Sequence, residues 1–475
     1  MVQIDSYRKL SILIPVYNEE YFVGQLVEKV LEAPLPAGVE RELVIVDDGS
    51  SDETPALLQR LAREHPREIH LHTHPVNRGK GAAIRTAIAG ATGDICIIQD
   101  ADLEYDPADF SAVIQPILDG DADVVYGSRF LPSDRRRVLY FWHALRNRVL
   151  TNISNMLTDL NLTDMETGYK ATKTSILKSI PIRSDGFDLE PELTAKFAKR
   201  GCRIYEVPIS YRGRSYDEGK KITWRDGIRA LVRIIYYWLI DDLYESAYRH
   251  AQYRLSRTHR LNRWLADAIV PYVGRRVLEL GAGLGNITLK MLPRHRYLLT
   301  DVDPLNLDYL ESRFGHYSWV DVARLDLSEP GDMATFRDCF DTVLCLEVLD
   351  GVEDDEAALA SIGGSLVAGG RAILLVGQGR WLYSPLDRVL GQVRRYSRAE
   401  IRAKCERAGL VIEQLRPFNR TGSLIWLCNS LLLRRQNIGK LQLKLFDSSV
   451  WLLRRLDRLL PLPGLSLLVV ARRPG

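Results

Sequence analysis

No stretch of this 475-residue chain approaches the ~20 consecutive apolar residues that a membrane-spanning helix needs. Cysteine is scarce. Six residues (Cys96, Cys202, Cys339, Cys345, Cys405, Cys428) are scattered without a Cys-x-x-Cys pair. That argues against a disulfide scaffold and for free thiols in a reducing compartment. No segment is low in complexity, and the two halves share no motif, so an internal repeat is excluded. The first residues, Met1-Val2-Gln3-Ile4-Asp5, do not read as a signal peptide. A cytoplasmic location is expected, with a place at the inner membrane face left open.

Charge is nearly balanced overall, at a formal +3, but unevenly spread. From Arg416 to Gly475 eleven Lys or Arg stand against Asp447 and Asp457. A basic tail invites nucleic acid. Here, however, Leu424 to Leu433 and Val450 to Leu468 interleave the charges with strongly apolar residues. A membrane-surface or interdomain face is the expectation, and no nucleic-acid partner.

The first half alternates strand and helix patterns. Leu10–Val16, Leu43–Val46, Asp94–Gln99 and Ala122–Gly127 read as buried strands, with helices at Tyr21–Leu31 and Pro55–Arg63. Such alternation predicts a parallel sheet covered by helices, with ligands at the carboxyl ends of the strands. Around Thr223 a capping box, Thr223 and Asp226, opens a charged aromatic helix expected to run to about Leu255. A second alternating unit follows: strand Arg276–Leu280, helix Asn286–Leu292, then strands Tyr297–Thr300, Thr342–Leu346 and Arg371–Val376.

Four clusters in the first half carry chemistry. The strand ending in Cys96-Ile97-Ile98-Gln99 runs into Asp100-Ala101-Asp102-Leu103-Glu104. In an extended chain residues i and i+2 share a side, so Asp100 and Asp102 can face one ion. Hard divalent cations take carboxylate oxygens together with substrate phosphates. Pro15-Val16-Tyr17-Asn18-Glu19 follows the first strand, and Asp47-Asp48-Gly49-Ser50 the second. Asn77-Arg78-Gly79-Lys80-Gly81 opens a helix, which suits backbone donors and an ammonium near phosphate.

These ordered motifs, over about residues 8–222, resemble family 2 glycosyltransferases of the GT-A fold. The similarity is greatest to polyprenyl-phosphate sugar synthases. Gly127-Ser128-Arg129-Phe130 and Glu166-Thr167-Gly168-Tyr169-Lys170 extend it. The resemblance implies that Pro15, Tyr17, Glu19, Asp47 and Asp48 line a nucleotide pocket. It implies that Asp100 and Asp102, with Glu104 as a third candidate ligand, hold Mg²⁺ or Mn²⁺. Lys80 and Arg129 would stabilise the departing diphosphate. A phosphate acceptor needs no general base, whereas a hydroxyl acceptor does. Asp164, Glu190 and Glu192 are the acceptor-side candidates. The basic cluster of Arg212, Arg214, Lys220 and Lys221 corresponds to a region that faces lipid phosphate in the relatives.

In the second half, Glu279-Leu280-Gly281-Ala282-Gly283-Leu284-Gly285-Asn286 joins a strand to a helix through a glycine loop that lets backbone approach a ligand. Asp301 ends the next strand and Asp326 a later one. Over residues 260–475 this order resembles class I S-adenosylmethionine-dependent methyltransferases. That resemblance makes Glu279, Gly281, Gly283, Gly285, Asp301 and Asp326 cofactor residues. Relatives often carry His where Gly351 and Gln392 stand, so a His-assisted transfer is in question.

The expected fold class is α/β throughout: a GT-A nucleotide-sugar domain (1–222), a helical connector (223–258) and a Rossmann-like class I methyltransferase domain (259–475). The expected function is bifunctional: metal-dependent inverting glycosyl transfer, with polyprenyl phosphate the preferred acceptor, plus O-methylation of a glycan or lipid-linked intermediate. A polysaccharide or secondary-metabolite glycosyltransferase with a scaffolding second domain is the alternative. Oligomeric state stays open.

Overall fold

The structure is a computed structural model describing residues 7–132, 138, 140–186, 188–213, 224–244, 246–428, 439–457 and 459–475. It divides into two compact units, Met1–Tyr244 and Glu245–Gly475.

The first unit is built on β1 (Lys9–Val16), β2 (Glu40–Asp47), β3 (Ile69–Thr73), β4 (Ile95–Ile98), β5 (Val124–Ser128), β6 (Lys170–Lys173) and β7 (Ile204–Pro208). Their order is β3-β2-β1-β4-β6-β5-β7. All neighbours are parallel except β6, which runs antiparallel to β4 and β5. Leu10, Ile12, Leu13 and Ile14 are wholly buried, because helices cover both faces of the sheet and the successive positions Leu10 to Ile14 all meet core. The register sets Val16 opposite Asp47 and Leu13 opposite Ile98. The carboxyl ends of β1, β2 and β4 therefore share one edge, at the point where the strand order reverses. Crevices at such switch points bind ligands in open α/β sheets.

The second unit contains β8 (Arg276–Leu280), β9 (Arg296–Asp301), β10 (Val320–Arg324), β11 (Phe340–Leu346), β12 (Leu366–Gly377), β13 (Val411–Phe418) and β14 (Ser466–Arg472). Their order is β10-β9-β8-β11-β12-β14-β13. The first five are parallel, and β14 lies antiparallel between β12 and β13. Here too the order reverses at the first strand, β8.

Two expectations change. Part of the basic tail is core: Leu467 to Ala471 are completely buried in β14, so that stretch forms no membrane-surface face. Its flanking Arg472 and Arg473 pair with Glu413 and Asp338. The stretch 223–258 is divided between the units. The helix Trp224–Leu239 packs against the helices Phe141–Thr158 and Leu189–Arg200 of the first unit, burying Ile234 and Tyr237. The helix Ala247–Ser256 belongs to the second unit. Thr223, half of the expected capping box, lies outside the described residues.

Candidate functional sites

Asp100 stands two residues beyond β4, and its Oδ1 meets Lys80 Nζ at 2.8 Å. The same ammonium reaches Glu190 Oε1 at 3.1 Å. Lys80 opens the helix Lys80–Gly90, and Glu190 lies in the first turn of the helix Leu189–Arg200. Burial works against the lysine charge, but Asp100 and Glu190 outweigh it and hold its pKa above the ordinary value. The ammonium thus stays charged at the mouth of the switch point.

Asp100 and Asp102 do not share a face in the extended manner. The chain turns after Gln99: Ala101 is buried, and Leu103 adopts a left-handed φ of 59°. Asp102 Oδ1 accepts the Glu104 N–H at 3.1 Å, closing that turn. Glu104 Oε2 accepts the Tyr211 hydroxyl at 2.7 Å, which turns the expected third ligand to another task. No group of three or more His, Cys, Asp or Glu side chains suited to a metal occurs among the described residues. A Cβ on Gly168 would lie 2.5 Å from Asp100 Oδ2, so glycine keeps that oxygen approachable. Two carboxylates completed by diphosphate oxygens are a donor set that a hard divalent ion accepts; Asp100 and Asp102 supply two such carboxylates two residues apart, with one oxygen of each engaged by Lys80 and by the Glu104 amide.

The phosphate loop is organised differently from expectation. Asp48, 3% exposed, accepts the N–H groups of Arg78 and Gly79 and meets His74 Nδ1 at 2.6 Å. The amides of Gly81 and Ala82 go to the Asp185 carbonyl. A Cβ on Gly79 or Gly81 would collide with the backbone of residues 184–185. The amides of Gly79, Gly81 and Ala82 at this helix start are therefore consumed within the protein, which leaves the Lys80 side chain as its charged group facing Asp100 and Glu190. Asp48 positions this loop rather than presenting a free carboxylate. His74, which also meets Thr86 Oγ1 at 2.9 Å, went unnoticed in the sequence. The position of Asp48 immediately after β2 was its available signal. Tyr17 is exposed just past β1, Glu19 donates its amide to Thr54, and Asp47 Oδ1 accepts the Ser50 amide.

Arg129 follows β5 and forms a bidentate pair with Asp164, with contacts of 2.6 and 2.7 Å. Asn147 Nδ2 adds a third bond to the same carboxylate at 2.8 Å. Burial disfavours the guanidinium charge, but Asp164 and Tyr105 raise its pKa well above the ordinary value. Asp164 is wholly buried and positions Arg129, so it is no acceptor-side base. Glu192 is likewise committed: it pairs with Lys196 at 2.5 Å and accepts the amides of Arg183 and Ser184. Burial pushes its pKa up, but Lys196 prevails and lowers it. Arg212 donates its amide to the Glu104 carbonyl. Arg214, Lys220 and Lys221 lie outside the described residues.

Beside these groups stand Glu166 and Lys170, from a motif visible in the sequence but given no role there. Lys170 is 2% exposed, bonds the Thr167 carbonyl and lies 5.0 Å from the centre of the Tyr126 ring. Burial lowers its pKa to about 8. Glu166 Oε1 is buried without a hydrogen-bond partner among the described residues.

In the second unit the glycine loop follows β8 with Gly281, Gly283 and Gly285 all at positive φ. A Cβ on Gly281 would strike Val348 and one on Gly285 would strike Phe314, whereas Gly283 faces open space. Asp301, at the end of β9, accepts the Gly283 amide at 2.8 Å and the Asp303 amide at 2.9 Å. That brings the expected loop and one expected cofactor acid together. Asp326 caps Ser328 at 2.9 Å. Glu279 differs from expectation. Its carboxylate is buried against Thr288 at 2.8 Å and Tyr297 at 2.7 Å, and burial raises its pKa to about 7. It ties β8 to β9 and to the following helix instead of facing a cofactor. Past β11, in the region where Gly351 and Gln392 stand in place of the relatives' His, Asp350 Oδ1 and Gln392 Oε1 are buried without partners among the described residues. Nearby, Arg395 and Asp387 form a buried pair at 2.8 Å.

Two open α/β sheets, each with its charged or glycine-rich loop at a switch point, define a two-domain protein built for nucleotide-like ligands. Comparison with known proteins gives each domain its family. Residues 11–180 match the model for glycosyl transferase family 2 and residues 278–372 a model for a methyltransferase domain. The first unit thus carries a match to glycosyl transferase family 2 and the second a match to a methyltransferase domain. It is 26% identical over 211 residues to glycosyltransferase AglD of Haloferax volcanii, covering 43% of this chain and 33% of that one. It is 27% identical over 219 residues to polyprenol monophosphomannose synthase of Mycolicibacterium smegmatis, covering 45% and 81%. The chain therefore spans about a third of the first relative's length and four fifths of the second's. Among solved structures it is similar to glucosyl-3-phosphoglycerate synthase from Mycobacterium tuberculosis, at 21% identity and a TM-score of 0.39, covering 50% of this chain and 80% of that one.

Proposed function

We propose that the amino-terminal domain transfers a sugar from a nucleotide-diphosphate sugar to polyprenyl phosphate, with inversion. We propose that the carboxy-terminal domain methylates an oxygen of a related glycan or lipid-linked intermediate with S-adenosylmethionine. The observation that carries the first reading is the charged Lys80 seated on Asp100 and Glu190 at the switch point, next to Asp102.

Breaking the bond between sugar and diphosphate leaves negative charge on the phosphates. Lys80 and Arg129 supply fixed positive charge there without reorganising, which is worth most where water is excluded. Asp100 and Asp102 would hold Mg²⁺ or Mn²⁺, which supplies further positive charge to the diphosphate when bound. Asp164 and Asn147 keep the Arg129 fork oriented, and Asp48 with His74 keeps the loop bearing Lys80 in place. In the second domain, the Gly281–Gly285 loop, Asp301 and Asp326 would hold S-adenosylmethionine, whose sulfonium supplies an activated methyl group.

The lipid-phosphate acceptor is supported by the name of the polyprenol monophosphomannose synthase relative. Exposed apolar faces support work at a membrane surface. Phe141, Trp142, Leu145 and Val149 face solvent on one helix, and Ile228, Val232, Ile235 and Leu239 on another. No helix among the described residues is long and apolar enough to cross a membrane.

Asp102→Asn tests the reading. Turnover of radiolabelled nucleotide sugar should be abolished while the melting temperature holds, and wild-type label should extract into organic solvent with added polyprenyl phosphate. Retained turnover rejects the role of Asp102. Label confined to water-soluble glycan rejects the lipid acceptor. A hydroxyl acceptor is the second reading, favoured by one observation: a carboxylate oxygen in the site with no partner, on Glu166.

A further inference from the structure

We propose that Glu166 is the catalytic residue that takes the proton from the acceptor oxygen as the sugar is transferred. The inference rests on the glycosyl-transfer reading and adds the acceptor-side chemistry that it lacks.

Glu166 sits on the loop between the helix Phe141–Thr158 and β6. That loop is fixed at both ends. Asp164 is clamped by Arg129 and Asn147, and the Met165 amide donates to Thr151 Oγ1 at 3.2 Å. The Gly168 amide donates to the Tyr105 hydroxyl at 2.9 Å, and the Gly168 Cα packs against the Asp100 carboxylate. Glu166 is therefore presented rigidly, two residues from the point where the loop touches the diphosphate-side acid.

Its availability separates it from its neighbours. Asp100 and Glu190 share Lys80, Asp164 holds Arg129, Glu192 holds Lys196, and Glu104 accepts from Tyr211. Among these carboxylates, only Glu166 has a buried oxygen, Oε1, without a hydrogen-bond partner among the described residues. A buried acceptor left unsatisfied is costly, so a donor is expected there in the working state. The hydroxyl proton of a bound acceptor provides one.

The surroundings suit the task. Burial, Glu190 on the helix Leu189–Arg200 and Asp164 on the same loop raise the carboxyl pKa. Lys170 on β6 and Arg129 past β5 lower it, and the balance stands at about 7. A base works best when its pKa lies near the operating pH.

In the step itself, an acceptor oxygen lone pair forms the bond to the anomeric carbon. The bond from that carbon to the diphosphate oxygen breaks, its electron pair leaves on the nucleoside diphosphate, and the acceptor proton moves to Glu166. The shared requirement is an acceptor oxygen that still bears its proton. A saccharide or water hydroxyl meets it at every working pH, and a phosphate monoester only while it is the monoanion.

The test uses the full chain, a donor identified by thermal shift, and Glu166→Gln and Glu166→Asp variants. Donor affinity, melting temperature and turnover from pH 5.5 to 9 are measured, with water and with a short-chain polyprenyl phosphate as acceptors. Wild-type donor hydrolysis should rise with an apparent pKa near 7. Glu166→Gln should bind donor within about twofold of wild type, yet lose roughly 10²–10⁴ in hydrolysis across the pH range. Glu166→Asp should recover part of it. With polyprenyl phosphate the loss should fade above pH 7, where the acceptor is already the dianion. A hydrolysis pH profile unchanged in Glu166→Gln overturns the proposal. So does a lower melting temperature at pH 8, where wild type buries an ionised carboxylate and the neutral Gln should not destabilise the fold. A wild-type chain that turns over no nucleotide sugar removes the glycosyl-transfer reading itself, and the proposal with it.

Discussion

Replacing Lys80 by methionine keeps the length of the side chain and removes its charge. The ammonium is 13% exposed, and its partners Asp100 and Glu190 are 21% and 9% exposed. Taking away one member of a buried ion pair leaves an uncompensated charge, at a cost of about 3–5 kcal/mol. Residual access to water at Asp100 favours the lower figure, about 3 kcal/mol. For a unit the size of Met1–Tyr244, each kcal/mol moves the midpoint by about 2–4 °C, so its transition should fall by about 6–12 °C. Calorimetry in chelator-containing buffer measures this directly. Adding Mn²⁺ or Mg²⁺ without nucleotide should restore a large part of the loss in Lys80→Met, because a divalent ion then supplies the charge that Asp100 lacks. The same addition should move wild type little, since Lys80 already occupies Asp100 Oδ1. A variant melting within about 2 °C of wild type, with no response to either ion, would refute the claim that Lys80 compensates these two acids.

Two further perturbations test other parts of the structure. Glu42 is wholly buried in β2, and although burial raises its pKa, the Lys9, Ser11 and Thr92 bonds lower it from 4.5 to about 2. A depressed carboxylate contributes stability that is fully present above its unfolded pKa and lost as pH falls through the folded one. On acid titration the fold should therefore lose about 3 kcal/mol more between pH 4.5 and 2 in wild type than in Glu42→Gln, read as the difference between their urea-unfolding free energies across that window. In the second unit, Gly283 has φ 56° and open space around its Cβ position, so Gly283→Asp meets no clash but takes a left-handed backbone that costs an L residue about 1–2 kcal/mol. Its carboxylate would stand beside Asp301, so calorimetric binding of S-adenosylmethionine should fall at least about 100-fold while the melting temperature drops only by the few degrees that this strain accounts for. Undiminished binding would place the cofactor elsewhere, and no binding by wild type would favour a scaffolding second domain.

What could be read from the sequence was what depends on apolar runs. β1, β2, β8 and β11 appear as short stretches rich in Leu, Ile and Val because both their faces are covered. β6 was missed because Lys170-Ala171-Thr172-Lys173 looks like surface. Its Lys170 is nonetheless buried, held by the Thr167 carbonyl and the Tyr126 ring, neither of which a local pattern reveals. β14 was misread because an apolar strand among arginines looks like an amphipathic face until β12 and β13 enclose it. Motif positions were legible as well: Asp48, Asp100, Asp102 and Lys80 all lie at the carboxyl edge of the first sheet. Their partners were not. Asp164 and Arg129 are 35 residues apart, and Lys80 and Glu190 are 110 apart.

That distinction decides which acids can do chemistry. A sequence counts carboxylates, whereas reactivity depends on lone pairs not already spent. Asp48 spends its own on two amides and His74, Asp164 on Arg129 and Asn147, Glu192 on Lys196 and two amides, and Glu279 on Tyr297 and Thr288. Each is a positioning group, and each is fixed by bonds that make it a poor proton acceptor. The same reasoning applies to the helix start at Lys80, where spent amides leave the side chain as the charged group. On the proposed reading, function in the first unit falls to the few groups whose capacity remains: the Lys80 charge, the Asp100 carboxylate against which Gly168 packs, and the orphaned oxygen of Glu166. Asp100 follows β4 and Glu166 precedes the antiparallel β6, so both stand at the edge of the sheet where the strand order reverses, and Lys80 reaches Asp100 there.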